Sequence, residues 1–178
     1  MSDIGAFPEI YDSQAQTTSA GASYQPGAVF VHRSGTGRAQ FALLKYVKLD
    51  NNGCSQGEAL VMDDGQTVEY GVKTCTTGHG RLPQFRGIAM ATIASNAFGF
   101  MCINGYCEKV DVSQTVASGE MLCMSGSTAA KLTPRQASSI LNATLGTSTF
   151  ATGVFPCAIA RGAFATGVGS AQIIGLWG

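Results

Sequence analysis

Residues 98–112 read FGFMCINGYCEKVDV, two apolar runs joined by Asn104-Gly105. An Asn-Gly pair between such runs is a strong local signal for a two-residue β-hairpin, because a type I′ turn requires positive φ at both central positions. The stretch therefore predicts two antiparallel strands in which Cys102 and Cys107 are directly opposed as a closely spaced, non-hydrogen-bonded pair. Strand geometry alone then explains why the two thiols are neighbours, and neither a metal clip nor a redox pair is needed.

The chain from Tyr24 onward continues this pattern of short apolar runs separated by turn residues. Examples are AVFVH (28–32), FALLKYVKL (41–49), EALVM (58–62) and TVEYGV (67–72). Many short strands at even spacing, with Gly and Asn-Gly between them, are typical of a β-sandwich or β-barrel. We therefore expect an all-β fold, a compact β-barrel or β-sandwich with one short helix and an extended N-terminal arm.

One segment has the periodicity of a helix. Thr133 is a suitable N-cap and Pro134 suits the first helical position, and apolar residues then recur at i, i+3 and i+4 before Gly146. This spacing predicts a short amphipathic helix over residues 134–145, lying on the sheet.

A short motif occurs twice along the chain. GEALVM (57–62) is echoed by GEMLCM (119–124), and each is followed by a similar segment, GIAMA (87–91) and PCAIA (156–160). PGAVFV (26–31) is a fainter third copy. The pattern indicates a unit of roughly 65 residues used twice, which would give the sheet a pseudo-twofold character; chance similarity of short motifs is the alternative.

The N-terminus differs in composition from the rest. Residues 1–24 form an arm that is polar and rich in small residues, and residues 25–178 form the β-rich domain. The arm is either a partly disordered terminus or a segment that becomes ordered by laying apolar side chains into a groove on a neighbouring subunit. A purely solvated tail does not need a cluster of apolar side chains, so the candidate partner-binding residues are Phe7, Pro8, Ile10 and Tyr11.

Composition narrows the functional classes. The 178 residues carry no net charge, and only 12% of them are charged, about half of the roughly 25% that is usual. A nucleic-acid-binding protein would show a basic excess, whereas a chain this poor in charge is suited to burial against other subunits. No apolar run of 18 residues predicts a membrane span, and the first residues lack the pattern of a secretory signal, so we expect synthesis in a cytoplasm.

Six cysteines are present, but a chain of this length does not need disulfides for stability. We expect buried, reduced thiols, with a disulfide between Cys102 and Cys107, formed after release into an oxidising environment, as the alternative. No CxxC motif occurs, and His32 and His79 are not spaced with any cysteine pair as zinc ligands would be, so no metal site is expected.

No catalytic constellation is recognisable in the sequence. No GxSxG elbow accompanies His32 or His79, the two possible bases, and SGSTAAK (125–131) lacks the spacing of a phosphate-binding loop. One enzymatic hypothesis remains, a Cys75 nucleophile near His79, although the intervening Thr-Thr-Gly disfavours the helix that would align them. We expect a chain that is not an enzyme and has no catalytic residues and no cofactor.

The order of these segments resembles the small capsid decoration proteins of tailed bacteriophages. Those chains show a G-V-A segment, an aromatic-led strand of the form Y/F-G-[WF]-V-x-[VI]-x-G, an A-G-x-x-L turn, and a last G-V-A followed by a hydrophobic strand. The resemblance covers about residues 26–178 and is least evident in residues 1–24 and 134–145. The matching positions here are Gly87, Ile88, Ala89, Phe98, Gly99, Phe100, Gly105, Gly119, Leu122, Ala158 and the strand 173–176.

The resemblance implies a cement protein of the virion, located on the capsid exterior and assembled in the host cytoplasm. Its partners would be the major capsid protein and itself, often as a homotrimer, with no nucleic acid and no membrane. The alternative is another β-rich virion component, such as a head fibre base, a tail-tube subunit or an adaptor subunit. The two hypotheses differ in the expected copy number. A cement protein would be present in hundreds of copies around a head, whereas the other components would form rings along a tail or be present in a handful of copies.

Overall fold

The computed structural model describes residues 7–34, 40–62, 71–74, 85–125, 128–134 and 156–174. Within these residues the chain is almost entirely β-structure, which confirms the all-β prediction. The one helix of this part is a single turn, and no helix in it is long and apolar enough to cross a membrane. The elements are β1 (Glu9–Ile10), α1 (Asp12–Ala15), β2 (Val29–Ser34), β3 (Gln40–Leu49), β4 (Ala59–Met62), β5 (Gly71–Thr74), β6 (Phe85–Ala89), β7 (Phe98–Val112), β8 (Met121–Met124), β9 (Leu132–Pro134), β10 (Ala158–Ala160) and β11 (Gly167–Ile173).

The strands form one sheet that closes on itself twice. Its order is β1-β2-β3-β5-β4-β6-β7-β11-β10-β8-β9, with further pairings of β3 with β7 and of β7 with β9. These pairings give a first ring, β3-β5-β4-β6-β7, and a second ring, β7-β11-β10-β8-β9. The two rings share β7, and closure leaves few unpaired strand edges.

Strand β7 joins the rings because it is not a hairpin. It runs without interruption from Phe98 to Val112, pairing with β3 along its first half and with β11 along its second. Gly105 lies opposite Ala42 on one edge and opposite Ile173 on the other. The hairpin predicted at Asn104-Gly105 is therefore wrong.

A β-bulge in β7 explains why the local sequence resembles a turn. The register with β3 shifts by one residue next to Asn104, and Gly105 has φ +96°. A Cβ atom at Gly105 would lie 2.3 Å from the carbonyl oxygen of Phe41 and 2.7 Å from the Cα of Ala42. Both a type I′ turn and this bulge need a residue that tolerates positive φ, so the same dipeptide suits either structure.

The bulge also places the two cysteines of β7 together. Cys102 and Cys107 are five positions apart, which would put their side chains on opposite faces of a regular strand, but one extra residue restores the same face. Both are buried in the same cluster, and the hydrogen bond with the Cys107 thiol, together with burial, raises the pKa of the Cys102 thiol. The thiols are neighbours as predicted, but along one bent strand and not across a hairpin. The five described cysteines are all buried, and no two of them form a disulfide.

The strand register of the first ring is repeated in the second. Ala59 pairs with Ile88 in the first ring. Met121 pairs with Ile159 in the second. Further pairs recur in the same way: Ala89–Met101 and Ala160–Ala171, Met62–Val72 and Met124–Leu132, Lys48–Phe98 and Asp111–Val168, and the bridges Cys54–Ile93 and Val116–Phe164. In these pairs Ile88 is equivalent to Ile159, two residues further along than in the sequence alignment of GIAMA (87–91) with PCAIA (156–160).

The fainter copy PGAVFV (26–31) repeats the turn: Gly27 has positive φ, its N–H donates to the Tyr46 carbonyl oxygen, and the Tyr46 N–H donates back to Ala28, as Gly57 and Ala89 do with Glu58. Strand β2 itself belongs to neither ring.

The duplication extends to the side chains that pack together. Alternate residues of each strand point into the ring, and equivalent positions of the two rings carry buried aliphatic residues. In the first ring these are Val47, Leu49, Leu60, Val72, Ala89 and Met101, and in the second Val110, Val112, Leu122, Leu132, Ala160 and Ala171.

The predicted helix does not begin where the sequence suggested. Pro134 ends strand β9, where it lies opposite Leu122, and Thr133 lies opposite Cys123. Proline is tolerated there because the pairing of β9 with β7 involves only Leu132, so that Pro134 borders β8 alone. Residues 135–145 of the predicted helix lie outside the described residues.

Candidate interaction surface

The N-terminal segment is attached to the β-rich body. Strand β1 runs parallel to β2, with Glu9 opposite Val31 and Ile10 opposite His32, and the Val31 N–H donates to the carbonyl oxygen of Pro8 at 3.0 Å. Helix α1 follows at once, and the Tyr11 N–H donates to the Gln14 side-chain oxygen at 3.1 Å. This helix was not predicted, because a single turn leaves no periodic apolar pattern.

The structure separates the four predicted partner-binding residues into two groups. Ile10 is only 3% exposed and belongs to the chain's own core cluster. Phe7 is 51% exposed, Tyr11 is 66% exposed, and Pro8 is also exposed. Ile10 therefore anchors the segment, whereas Phe7 and Tyr11 remain available to a partner.

A buried histidine holds helix α1 against β2. His32 is 3% exposed, and its Nε2 lies 2.7 Å from an Asp12 carboxylate oxygen, while its Nδ1 has no hydrogen-bond partner among the described residues. His32 lines a cavity of about 20 Å³ that also touches Ala15 and Cys107, room for about one water molecule. Cys107 is buried and its thiol donates to the Lys109 carbonyl at 3.2 Å. The pair formed by His32 and Asp12 is thus placed to anchor α1 to β2. The cavity beside this pair is too small for a substrate.

Two other described groups, Cys54 and Lys45, have shifted pKa values, and burial is the main cause of each shift. Burial raises the pKa of the Cys54 thiol to about 11. Burial and, to a smaller extent, the nearby Arg86 guanidinium lower the pKa of Lys45. The described residues contain no group of three side chains placed to hold a metal ion. Cys75 and His79, the pair of the enzymatic hypothesis, lie outside the described residues.

Exposed aromatic side chains lie on the outward face of β1, β2 and β3. The Arg33 guanidinium is 2.8 Å from the Glu9 carboxylate and stands 5.1 Å from the centre of the Phe41 ring, which is 50% exposed. Tyr11 has an extended backbone two residues after Glu9, so alternation places its side chain on the same side as that of Glu9. Phe7 precedes Glu9 by two residues and is also exposed. We call the surface formed by Phe7, Tyr11 and Phe41 the aromatic face.

Phe41 was missed as a candidate although the sequence contained a signal for it. In FALLKYVKL (41–49), Ala42, Leu44 and Tyr46 are buried on one side of β3, and Phe41 begins the alternate set. Alternation indicates that Phe41 lies on the side of β3 away from those three residues, but it does not predict exposure, because Val47 and Leu49 of the same set are buried in the first ring.

No family model matches the chain, and no curated protein matches its sequence.

Proposed function

We propose that this chain is a structural virion protein that binds the outer surface of an assembled phage head and stabilises the contacts between capsomers. The aromatic face is the observation that carries the proposal. Large exposed apolar patches mark sites of protein–protein contact, and aromatic and arginine side chains are enriched at such sites. Arg33 fits this pattern because Glu9 and Phe41 hold its guanidinium in place on the face.

The proposed action is thermodynamic. A ligand that binds the assembled lattice and not the free capsid subunits stabilises the lattice by its binding free energy. Many weak contacts of this kind add up when several copies are joined, because each further contact forms within one complex. A chain with 12% charged residues and no net charge is compatible with such dry contacts.

The same proposal makes the chain a non-enzyme that needs no cofactor. At the one described histidine, the cavity of about 20 Å³ and the burial of the Cys107 thiol leave no room for a substrate. Contact surfaces carry the function in this proposal, and the partner is the major capsid protein.

The test uses phage heads that lack this protein. They are produced from the genome that encodes it, after its gene has been deleted. Purified wild-type protein, added back, should co-sediment with the heads at hundreds of copies each and raise the temperature at which they disrupt. The double variant Tyr11→Ser with Phe41→Thr should bind at least ~10-fold more weakly, which corresponds to about 1.4 kcal/mol. Met62→Ser is the matched control, because Met62 is an exposed apolar residue (45%) outside the aromatic face.

Two results would contradict the proposal. Equal binding of wild type and the double variant would remove the aromatic face from the contact. Saturation at a handful of copies per particle, or binding to tails, would favour a head fibre base, a tail-tube subunit or an adaptor subunit instead.

A further inference from the structure

The chain contains two Asn-Gly pairs, and the fold gives them different surroundings. Asn104-Gly105 lies inside β7, whereas Asn52-Gly53 lies in the turn that follows β3. An asparagine before glycine loses its side-chain amide more readily than before other residues, because glycine has no Cβ atom to hinder attack by its own nitrogen. The two pairs are therefore candidate sites of the same chemical modification.

The modification is deamidation, and it needs no reagent except water. The backbone nitrogen of glycine attacks the side-chain carbonyl carbon of asparagine to form a cyclic imide, and the side-chain nitrogen leaves as ammonia with the proton of the attacking nitrogen. Water then opens the imide at either carbonyl and gives aspartate or isoaspartate, each with a new negative charge. The glycine nitrogen must approach the side chain, so a rigid backbone slows the reaction.

The pair in β7 is held by strands on both edges. Gly105 lies opposite Ala42 of β3 and opposite Ile173 of β11. Asn104 is half-buried and lies opposite Leu43. Rotation of this pair into the reactive geometry requires β7 to leave β3 and β11, which opens both rings.

The pair in the turn is held only locally. Asn52 is exposed, and no described residue accepts a hydrogen bond from the Gly53 N–H. The Asp50 carboxylate accepts hydrogen bonds from the Asn52 Nδ2 at 3.0 Å and from the Asn52 backbone N–H at 3.1 Å. An exposed turn opens at a small fraction of the free energy that opens a core strand. Asn52 can therefore reach the reactive geometry while the rest of the chain stays folded.

We propose that Asn52 is a site of spontaneous deamidation in the folded protein, and that the pairing of β7 protects Asn104 from the same reaction. Two pairs of identical sequence thus differ in reactivity through the fold alone. This inference goes beyond the proposed virion function and does not depend on it, because both pairs belong to the isolated chain.

Deamidation of Asn52 changes the end of the first ring. Asp50 is only 8% exposed, its N–H donates to the Val72 carbonyl oxygen at 3.0 Å, and its carbonyl oxygen accepts from the Asn96 N–H at 2.8 Å. The reaction replaces the amide that donates to Asp50 by a carboxylate, which repels the Asp50 carboxylate. The modification should therefore weaken the connection of β3 to β5 and to the turn before β7.

The first experiment follows both pairs in the same molecule. Purified full chain is incubated at neutral pH, in buffer and in concentrated urea, and conversion at each asparagine is measured by mass spectrometry of proteolytic peptides. In buffer, Asn52 should convert at least ~10-fold faster than Asn104, which corresponds to a difference of about 1.4 kcal/mol in opening free energy. In urea the two rates should become similar, because the fold no longer separates them.

The second experiment tests the consequence at Asp50 with a variant that carries the charge of the product. Asn52→Asp should unfold at a lower urea concentration than wild type. Asn51→Asp is the matched control, because Asn51 is adjacent and also exposed but makes no described hydrogen bond to Asp50. The unfolding midpoint of this control should stay close to that of wild type.

Similar rates at the two asparagines in buffer, or conversion of Asn52 in urea alone, would overturn the inference, because the turn and β7 would then protect their pairs equally. An Asn52→Asp variant as stable as Asn51→Asp would show that the Asn52 amide does not support Asp50, and would remove the consequence for the first ring.

Discussion

Among single residues, Gly105 and Gly119 share a positive φ but differ in their surroundings. Gly105 has φ +96° and lies in the bulge of β7 against the backbone of β3, where an added Cβ would overlap the Phe41 carbonyl oxygen. Gly119 has φ +82° in the turn before β8, and no atom lies within 4 Å of an added Cβ. A comparison of substitutions at these two glycines therefore separates the cost of backbone strain from the cost of steric overlap.

We expect Gly105→Ala to lower the free energy of unfolding by roughly 3 kcal/mol or more, because strain and overlap with a rigid backbone add. Gly119→Ala should lower it by about 1–2 kcal/mol from strain alone. Urea titrations followed by circular dichroism measure both. Equal losses for the two variants would show that β7 moves away from β3 without cost, contrary to the close approach seen here.

Among the elements, the N-terminal segment is the one whose role changes most from the sequence-based interpretation. The sequence left two alternatives for it, a partly disordered terminus or an arm for a neighbouring subunit, whereas the structure buries Ile10 and Ala15 in the chain's own core. Deleting the whole segment would therefore remove core side chains together with Phe7 and Tyr11. Single substitutions separate its anchoring role from its surface role.

We expect Ile10→Ala to destabilise the fold by about 2–4 kcal/mol, since it removes a buried side chain from the core cluster. Phe7→Ala should change the free energy of unfolding by less than about 0.5 kcal/mol, because Phe7 is an exposed side chain. Thermal and urea unfolding of the two variants provide the measurement. If Phe7→Ala were as destabilising as Ile10→Ala, Phe7 would have to be part of the core.

The elements also show what could be predicted from the sequence. Short apolar runs between glycines located β3, β4 and β8 well, because alternation and turn residues act locally. Asn104-Gly105 was misinterpreted because the choice between a turn and a bulge depends on β3 and β11, which pair on either side and are distant in sequence. The aromatic face needed the pairing of β1 with β2, which no local pattern indicates.

For the whole molecule, the sharing of β7 couples the two rings. Each ring has its own set of buried side chains, but neither can close without β7. Loss of packing in one ring should therefore be transmitted to the other, and the body should unfold as one cooperative unit, as small single domains usually do.

We expect Leu60→Ala in the first ring and Leu122→Ala in the second to destabilise the protein by similar amounts, about 2–5 kcal/mol, because both are fully buried at equivalent positions. Each variant should show a single transition that is the same for all probes. Native-state hydrogen exchange of β4 and β8 gives the ring-specific readout. Two separate transitions, only one of them shifted by each substitution, would show that the rings unfold independently.

A strand held in common has a consequence for how this chain can be divided. Two repeats that are joined by a linker can be separated by cutting the linker. Here the boundary between the two rings lies within one continuous strand, β7. The pairings of the first ring end at Gly105 and those of the second begin there, so a backbone cut beside residue 105 would leave each fragment with the half of β7 that closes its own ring. One buried cluster still contains side chains from both fragments, so the halves should be most stable when they are mixed, as complementary pieces.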